Sequence, residues 1–399
     1  MEKVVLAYSG GLDTSVIVKW LIDNYQADVI TLTVDVGQPL DAKSIEERAK
    51  ATGAKRHYYI DAKEEFVENY VHPALKANAL YEGKYPLATA LSRPLIASKL
   101  VEVAAQEKAT AVAHGCTGKG NDQVRFEVTI KSLAPNLKIY APVREWKMSR
   151  DLEIEYARKH RIPVPLDKSI YSIDENLWGR AVECGQLDYP DQEPPADAYE
   201  WTNPPEKAPD KPEYLNIEFE GGVPKAVNGE ALDKVALIQL LNKRCGEHGV
   251  GRIDHIEDRL VGIKSREVYE SPAAVCLLDA HKDLEKLVLT KHELMFKQGV
   301  DTQWTWLMYN GLWAEPLRED LEAFIDRTQS QVEGKVKVKL FKGSSLVVGR
   351  SSPNSLYDLN LATYDVKTTF DQSAATGFIE LWGLPTRVAR WLKAKKQQS

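Results

Sequence analysis

Short apolar runs alternate with helix-like segments through the first part of the chain. The strand-like runs are residues 4–8, 29–34, 58–60, 111–113 and 137–140. Between them, apolar residues recur at helical spacing from Leu12 onward, over 42–52 and over 95–106. Strands that alternate with helices predict a parallel sheet covered on both faces, with ligands bound beyond the carboxyl ends of the strands. The first part is therefore predicted to be one α/β nucleotide-binding domain.

The alternation breaks near Pro163, and seven prolines between Pro190 and Pro212 exclude a long helix or a central strand. We expect a long arm packed on the protein, because aromatic residues accompany the prolines. Farther on, residues 214–219 and 223–227 flank a glycine pair and predict a hairpin. Helical spacing over 232–245, helix-start signals at 271–272 and 290–293, and strict alternation over 335–340 complete an α+β pattern.

The last segment, residues 372–395, carries apolar residues at helical spacing. An apolar helix seldom stays unpartnered in water. Two interpretations remain open: a helix docked on its own domain, or an arm exchanged between subunits.

Composition narrows the class of protein. A chain of 399 residues exceeds the usual size of one hydrophobic core, so its length predicts two domains. With 28% charged residues and a net charge of -6, it has no electrostatic reason to bind nucleic acid or a membrane. The four cysteines form no CxxC pair and the N-terminal segment has no leader pattern, so we expect a cytoplasmic protein.

The most informative motif is residues 9–15, SGGLDTS, between the first strand and the first helix. Paired glycines let the backbone approach a ligand, and a helix N-terminus presents N–H groups to phosphate. Hydroxyls of Ser9, Thr14 and Ser15 add donors. The loop lacks the lysine of a GxxxxGK[ST] loop and the GxGxxG spacing. It resembles the SGGxDS pyrophosphate loop of the N-type ATP pyrophosphatases, the alternative being an ordinary Gly-Gly turn.

A second motif, residues 114–127, HGCTGKGNDQVRFE, follows another short strand. Its glycines permit close backbone approach, while Thr117, Asn121, Asp122 and Arg125 offer a hydroxyl, an amide, a carboxylate and a guanidinium. Such a set suits an amino-acid zwitterion, with Arg125 pairing a carboxylate and Asp122 accepting from an ammonium group. The alternative is ordinary loop chemistry.

Together the two motifs resemble those of the argininosuccinate synthases. Further blocks of that family match at 81–87, 93–94, 171–177, 249–252, 257–259 and 264–272, so the resemblance covers essentially the whole chain. It implies an ATP pyrophosphatase-type domain over 1–168, an α+β synthetase domain over 169–368 and a helical oligomerisation tail over 369–399. It also implies a homotetramer.

The resemblance implies a reaction and a set of site residues. ATP would activate the ureido oxygen of citrulline as citrullyl-AMP, and the amine of aspartate would then displace AMP, the penultimate step of arginine biosynthesis. The residues expected to hold ATP are Ala7, Tyr8, Ser9, Gly10, Gly11, Leu12, Asp13, Thr14, Ser15, Val34 and Gly115. Aspartate is expected at Thr117, Asn121 and Asp122. Citrulline is expected at Tyr85, Thr89, Asn121, Arg125, Ser172, Glu257 and Tyr269.

The proposed chemistry predicts a metal ion and a catalytic residue, and a few positions differ from the family pattern. Mg²⁺ is expected to bridge phosphate oxygens with few protein ligands, Asp13 or Asp122 holding a metal-bound water. Asp122 is the hypothesised catalytic residue, orienting the aspartate amine and easing its deprotonation. Ala90 and Ala181 stand where relatives often carry serine, so no side-chain contact to citrulline is transferred to them. Cys116 is interpreted as a packing residue.

Three other functions fit parts of the sequence. Another ATP pyrophosphatase, such as an amidotransferase synthetase or a tRNA thiolase, would share residues 9–15, but its usual glutaminase cysteine, zinc cysteines or basic RNA-binding face is not visible. A nucleotide sensor would not need the 264–272 block. A purely structural oligomer would explain the C-terminal tail alone.

Overall fold

The computed structural model describes residues 1–146, 148, 150–164, 170–365 and 368–397. The chain divides into two compact units, Met1–Asn354 and Ser355–Ser399. The predicted boundary between 168 and 169 lies outside the described residues, and the predicted domain limits stay a prediction. No helix among the described residues has both the length and the apolar character needed to cross a bilayer.

A parallel five-stranded sheet forms the first layer of the larger unit, with spatial order β3-β2-β1-β4-β5. Its strands are β1 (Lys3–Ala7), β2 (Asp28–Asp35), β3 (Arg56–Asp61), β4 (Ala111–Ala113) and β5 (Lys138–Tyr140). The chain moves outward from β1 to β3 and then crosses to β4 on the other side of β1. The crevice between β1 and β4 is therefore the topological switch point, where such sheets bind ligands.

Helices cover this sheet, as the alternation predicts. They are α1 (Leu12–Tyr25), α2 (Ala42–Thr52), α3 (Lys63–Phe66), α4 (His72–Lys76), α5 (Ala88–Glu107), α6 (Asp122–Leu133), α7 (Pro142–Glu145) and α8 (Arg150–Lys159), with a π-helical turn at Val67–Val71 between α3 and α4. The parallel-sheet fold class is confirmed. The predicted helix over 95–106 begins too late, because α5 starts at Ala88 and continues through Pro94, a residue that more often begins a helix.

The second half of the larger unit contains two antiparallel sheets. Its strands are β6 (Ser172–Asn176), β7 (Gly179–Glu183), β8 (Glu213–Glu220), β9 (Val223–Val227), β10 (Glu230–Ala231), β11 (Arg252–Asp258), β12 (Lys264–Glu270), β13 (Gly334–Phe341) and β14 (Ser344–Ser351). One sheet has the order β11-β12-β7-β6 and the other β10-β9-β8-β13-β14. The predicted hairpin at β8 and β9 and the turn after residue 341 are confirmed.

Helices α9 (Lys234–Glu247), α10 (Pro272–Val288), α11 (Lys291–Tyr309) and α12 (Pro316–Gln329) complete this α+β part. The predicted capping box is present, since Thr290 accepts from the Glu293 amide and Glu293 accepts from the Thr290 amide. The proline-rich arm is packed, as predicted. Three consecutive amides, of Glu200, Trp201 and Thr202, donate to the buried Glu270 carboxylate at 2.9 Å.

The smaller unit contains α13 (Leu359–Ala362), α14 (Ala374–Trp382) and α15 (Leu384–Gln397), which confirms the predicted helical tail. None of the described residues of these helices is buried. Large apolar side chains lie in the open, with Leu381 74% and Trp382 73% exposed.

Candidate active site

The loop after β1 has the geometry of a phosphate cradle. Gly10 adopts a left-handed φ of +78°, and a Cβ there would lie 3.1 Å from Ile45, so the turn requires glycine. Gly11 is the N-cap of α1, and no described side chain caps that helix. The Ser9 hydroxyl accepts from the Gly11 amide at 3.3 Å and lies 3.1 Å from the Thr14 hydroxyl. These donors surround the N-terminus of α1, which attracts anions.

This loop borders a cavity of about 580 Å³ at the switch point. Most of the residues expected to hold ATP line this first cavity: Ala7, Tyr8, Ser9, Gly11, Leu12, Asp13, Thr14, Val34 and Gly115. Gly10 lies beside it in an adjoining groove with Arg48, whose guanidinium donates to the Gly10 carbonyl. Ser15 lines neither space. It is buried, and its hydroxyl bonds that of Tyr8 at 2.9 Å, supporting the loop from behind.

A second cavity, of about 280 Å³, lies where the parallel sheet meets the β11-β12-β7-β6 sheet. All the residues expected to bind amino-acid substrates line it: Tyr85, Thr89, Thr117, Asn121, Asp122, Arg125, Ser172, Glu257 and Tyr269. The two cavities share Asp13, Arg93, Gly115, Cys116 and Asp174. A ligand in one therefore adjoins a ligand in the other.

Two arginines hold Asp122 at this junction. Arg93 Nε donates to Oδ2 of Asp122 at 2.6 Å and Arg125 Nη1 donates to Oδ1 at 3.0 Å. Arg93 also pairs with Asp174. Burial alone would raise the pKa of Asp122, but the charges of Arg93 and Arg125 outweigh it and hold the pKa below its usual value. Asp122 is thus an ionised hydrogen-bond acceptor and a weak proton acceptor.

The buried Arg125 presents an open donor. Its Nε donates to the Tyr309 carbonyl at 3.1 Å, and its guanidinium carbon lies 5.0 Å from the centre of the Tyr309 ring. Its Nη2 has no hydrogen-bond partner among the described residues, although the side chain is only 2% exposed. An unsatisfied buried guanidinium nitrogen is costly, so this atom fits a ligand acceptor such as a carboxylate.

Aromatic rings and carboxylates form the far wall of the second cavity. Tyr85 and Tyr269 stack with ring centres 4.2 Å apart, and the Tyr85 hydroxyl bonds that of Thr89 at 2.8 Å. Tyr269 Oη donates toward Glu257 at 2.6 Å and lies 2.7 Å from Glu267. Burial, with the nearby Glu267 charge, raises the pKa of Glu257 to about 7.

The structure also shows where the residues that differ from the family pattern lie. Ala181 on β7 lines the second cavity, whereas Ala90 is buried within α5 and lines neither cavity. Cys116 lines both cavities, and burial raises the pKa of its thiol, so it is no ready nucleophile. His114 accepts the Cys116 amide at Nδ1 and faces Glu127 at 3.2 Å through Nε2, which braces the loop after β4.

Several residues of the site had no role predicted from the sequence, among them Arg48, Arg93 and Tyr309. Arg93 lies beside Pro94 in a block of the family resemblance, and that block was its only signal. Tyr309 ends α11, far along the chain from both motifs, and no local pattern marks it. Arg48 lies on α2, and its sequence context does not distinguish it from an ordinary surface arginine of a helix.

Both halves of the chain match known proteins. The family model for the arginosuccinate synthase N-terminal HUP domain matches residues 3–163, and that for the arginosuccinate synthase C-terminal domain matches residues 171–389. A protein of Pyrococcus furiosus named argininosuccinate synthase is 62% identical over 97% of this chain and 94% of its own. Proteins of the same name from Dehalococcoides mccartyi and Bacillus pumilus are each 58% identical, over 98% and 99% of this chain and 97% and 98% of their own. Both halves of the fold are thus matched over nearly their full length, and the chain belongs to the argininosuccinate synthase family of ligases.

Proposed function

We propose that the enzyme condenses L-citrulline with L-aspartate to argininosuccinate, converting ATP to AMP and pyrophosphate through citrullyl-AMP. The observation that carries this proposal is the pair of adjoining cavities, one with a phosphate cradle and the other with an amino-acid donor set. The citrulline ureido oxygen attacks the α-phosphorus and pyrophosphate leaves. The aspartate amine then attacks the ureido carbon, the carbon–oxygen bond to AMP breaks, and the amine loses a proton.

The first cavity suits the nucleotide. Backbone N–H groups at the start of α1 and the hydroxyls of Ser9 and Thr14 face the place where pyrophosphate charge would accumulate. Adenylyl transfer asks a protein mainly for positioning and charge stabilisation, so a loop of fixed donors is sufficient chemistry. Arg93, paired with Asp122 and Asp174, lines both cavities, so its guanidinium would lie close to the reacting phosphorus.

The second cavity suits the two amino acids. Arg125 Nη2 is the donor for a citrulline oxygen, and Tyr85, Thr89, Ser172, Glu257 and Tyr269 shape the remainder of that subsite. Thr117, Asn121 and Asp122 form the aspartate subsite. Because Asp122 is held ionised, its role is to accept a hydrogen bond from the aspartate amine and aim the nitrogen lone pair, rather than to remove the proton.

The residues present also fit Mg²⁺. This ion prefers phosphate oxygens and water with one or two carboxylates, and no cluster of three or more metal-ligating side chains occurs in the described part of the chain. Asp13 lines both cavities and is the carboxylate that would hold a metal-bound water. Mg²⁺ bound there would neutralise charge on the departing pyrophosphate.

The tail and the composition support two further parts of the proposal. The exposed apolar faces of α14 and α15 suit a homotetramer in which the tail crosses between subunits. The net charge of -6 and the absence of any CxxC pair suit a cytoplasmic enzyme that acts on small molecules.

Product analysis tests the proposed reaction. The enzyme is incubated with α-labelled ATP, citrulline and aspartate, and AMP and argininosuccinate are quantified together. We expect the two products in equal amounts, with both absent when citrulline is omitted. AMP release that is independent of citrulline would point instead to another ATP pyrophosphatase activity.

A further inference from the structure

Tyr309 connects three of the residues expected at the citrulline subsite. Its hydroxyl donates to Glu257 Oε1 at 2.6 Å and accepts from Asn121 Nδ2 at 3.0 Å. Its carbonyl accepts from Arg125 Nε, and its ring lies beneath the same guanidinium. These partners come from β11, from the loop before α6 and from α6 itself, and Tyr309 belongs to α11.

The Tyr309 hydroxyl donates its proton to Glu257 in preference to a second nearby acceptor. The same oxygen lies 3.1 Å from the Asp258 carbonyl, but the shorter contact takes its single proton to Glu257. Tyr269 bonds the other oxygen of Glu257. Each carboxylate oxygen therefore faces one phenol, and the buried carboxylate is fixed in rotation as well as in place.

The two phenols differ in what they do for Glu257. Tyr269 has one proton for two carboxylates, Glu257 and Glu267, so both short contacts can be hydrogen bonds only if the group holds one additional proton. Tyr309 donates without such sharing. Loss of its hydroxyl would therefore favour the protonated form of Glu257.

We propose that Tyr309 is a positioning residue for citrulline: its hydroxyl orients Glu257 and favours the ionised form of that carboxylate, which accepts an N–H of the substrate. This inference rests on the proposed function. The groups that influence Glu257 are Glu267 and Tyr269 on β12, Tyr309 on α11, Arg125 on α6, and Tyr81 and Tyr85 before α5.

The pKa of Glu257, raised to about 7 by burial and the Glu267 charge, gives the proposal a readout. Below that pH the carboxylate takes up a proton and loses its capacity to accept from citrulline, so KM for citrulline should rise. The hydrogen bonds from Tyr269 and Tyr309 lower the pKa of Glu257, and removing the Tyr309 bond should move the rise in KM to higher pH.

The test compares the wild-type enzyme with Tyr309→Phe, which keeps the ring and the backbone carbonyl. The inflection in kcat/KM for citrulline should move upward by about one pH unit, which makes KM for citrulline about fivefold higher at pH 7 and nearly equal at pH 9. kcat at saturating substrate and KM for ATP should change less than about threefold. An inflection that stays at the wild-type pH would overturn the proposal.

Two further variants make the result specific. Tyr81→Phe removes a neighbouring hydroxyl that bonds the Asp258 carbonyl at 2.9 Å and makes no hydrogen bond to Glu257, so its inflection should move far less than that of Tyr309→Phe. An equal shift in Tyr81→Phe would assign the effect to that loop and contradict the proposal. Glu257→Gln should remove the inflection near pH 7 in an otherwise wild-type chain, and this measurement holds even if Tyr309→Phe folds poorly.

The outcomes distinguish failure of the proposed reaction from failure of the role given to Tyr309. If the wild-type enzyme makes no argininosuccinate from citrulline, aspartate and ATP, the proposed function fails. If the wild-type enzyme is active but Glu257→Gln keeps the inflection, or Tyr309→Phe leaves it in place, the role of Tyr309 alone fails.

Discussion

Asp122 shows how neighbours decide what a side chain can do. Seen in sequence, a carboxylate after Asn121 is equally suited to accept a hydrogen bond or a proton. In the structure, Arg93 and Arg125 each bind one of its oxygens and depress its pKa. The arrangement favours a fixed acceptor that orients an amine.

Asp122→Asn should separate the two half-reactions. The amide retains one acceptor oxygen but loses the charge that balances Arg93 and Arg125, so the aspartate amine is no longer held or aimed. We expect pyrophosphate release with citrulline to persist within about tenfold, and argininosuccinate formation to fall by about 10²-fold or more. Rapid-quench assays measure the rates of pyrophosphate release and argininosuccinate formation separately. Normal turnover to argininosuccinate would contradict the role given to Asp122.

At this scale, the sequence predicts residues that lie within contiguous motifs and misses those brought in by folding. Nine residues expected at the amino-acid subsites line one cavity. Four of them come from the single motif after β4, and the family resemblance implied the others. Tyr309 could not be found in this way. Its function depends on Glu257 and Asn121, which are 52 and 188 positions away.

Among the elements, the parallel sheet was predictable and one antiparallel sheet was not. Strands β1, β2 and β4 are buried on both faces and appear as continuous apolar runs. Strands β6, β11 and β12 carry polar or charged residues at most positions, as in SIDEN, RIDHIED and KSREVYE, because their sheet contributes side chains to the second cavity. Polar residues that line a binding site interrupt the alternation of apolar and polar positions from which a strand is predicted.

A buried ion cluster joins α11 to α10 and to the end of α4. Lys297 is 1% exposed, and its Nζ bonds the two oxygens of Asp301 at 2.9 and 2.8 Å, Glu285 at 3.0 Å and the Lys76 carbonyl at 2.7 Å. Burial raises the pKa of Asp301 to about 6 even with Lys297 beside it. The lysine charge is therefore what allows two carboxylates to be buried together.

Lys297→Met should destabilise the larger unit by about 3–5 kcal/mol at pH 8, because it leaves two buried carboxylates without their cation. The pKa of Asp301 rises further in the variant. A carboxyl whose folded pKa exceeds its unfolded value destabilises the fold above the folded pKa, and the penalty disappears as pH falls toward the unfolded value. The difference from wild type should therefore narrow at pH 5.

Thermal or urea unfolding at the two pH values measures this difference. Lys286→Met is the matched control, since that lysine is exposed and lies 4.0 Å from Asp283, and it should change stability by about 1 kcal/mol or less. A loss of stability in Lys297→Met that is equal at pH 5 and pH 8 would show that the cluster's charges are not responsible.

At the level of the whole molecule, the C-terminal tail exposes apolar side chains that no part of the single chain covers among the described residues. Phe378, Leu381, Trp382 and Trp391 are each more than half exposed, an amount of apolar surface that marks interfaces. The sequence predicted the helices of this tail from their periodicity. It could not distinguish docking on the same chain from exchange between chains, because both bury the same face.

Deleting the residues after Gln372 should reduce the assembly to a smaller species, since the exchanged arm would be lost. Light scattering on the purified chain measures its mass. The paired substitution of Leu381 and Trp382 by serine should weaken the assembly in the same direction, while Thr386→Ala, a change at an exposed and less apolar position of α15, should leave it intact. An unchanged mass after the deletion would refute exchange and favour a tail docked on its own chain.

In the proposed reaction, the ureido oxygen of citrulline becomes the oxygen through which AMP leaves. To test this directly, the enzyme is incubated with ATP, aspartate and citrulline labelled with ¹⁸O in its ureido group. The mass of the AMP formed is then determined by mass spectrometry. We expect one ¹⁸O atom in the phosphate of AMP for each argininosuccinate produced. Unlabelled AMP, with ¹⁸O found in pyrophosphate or in water, would contradict it.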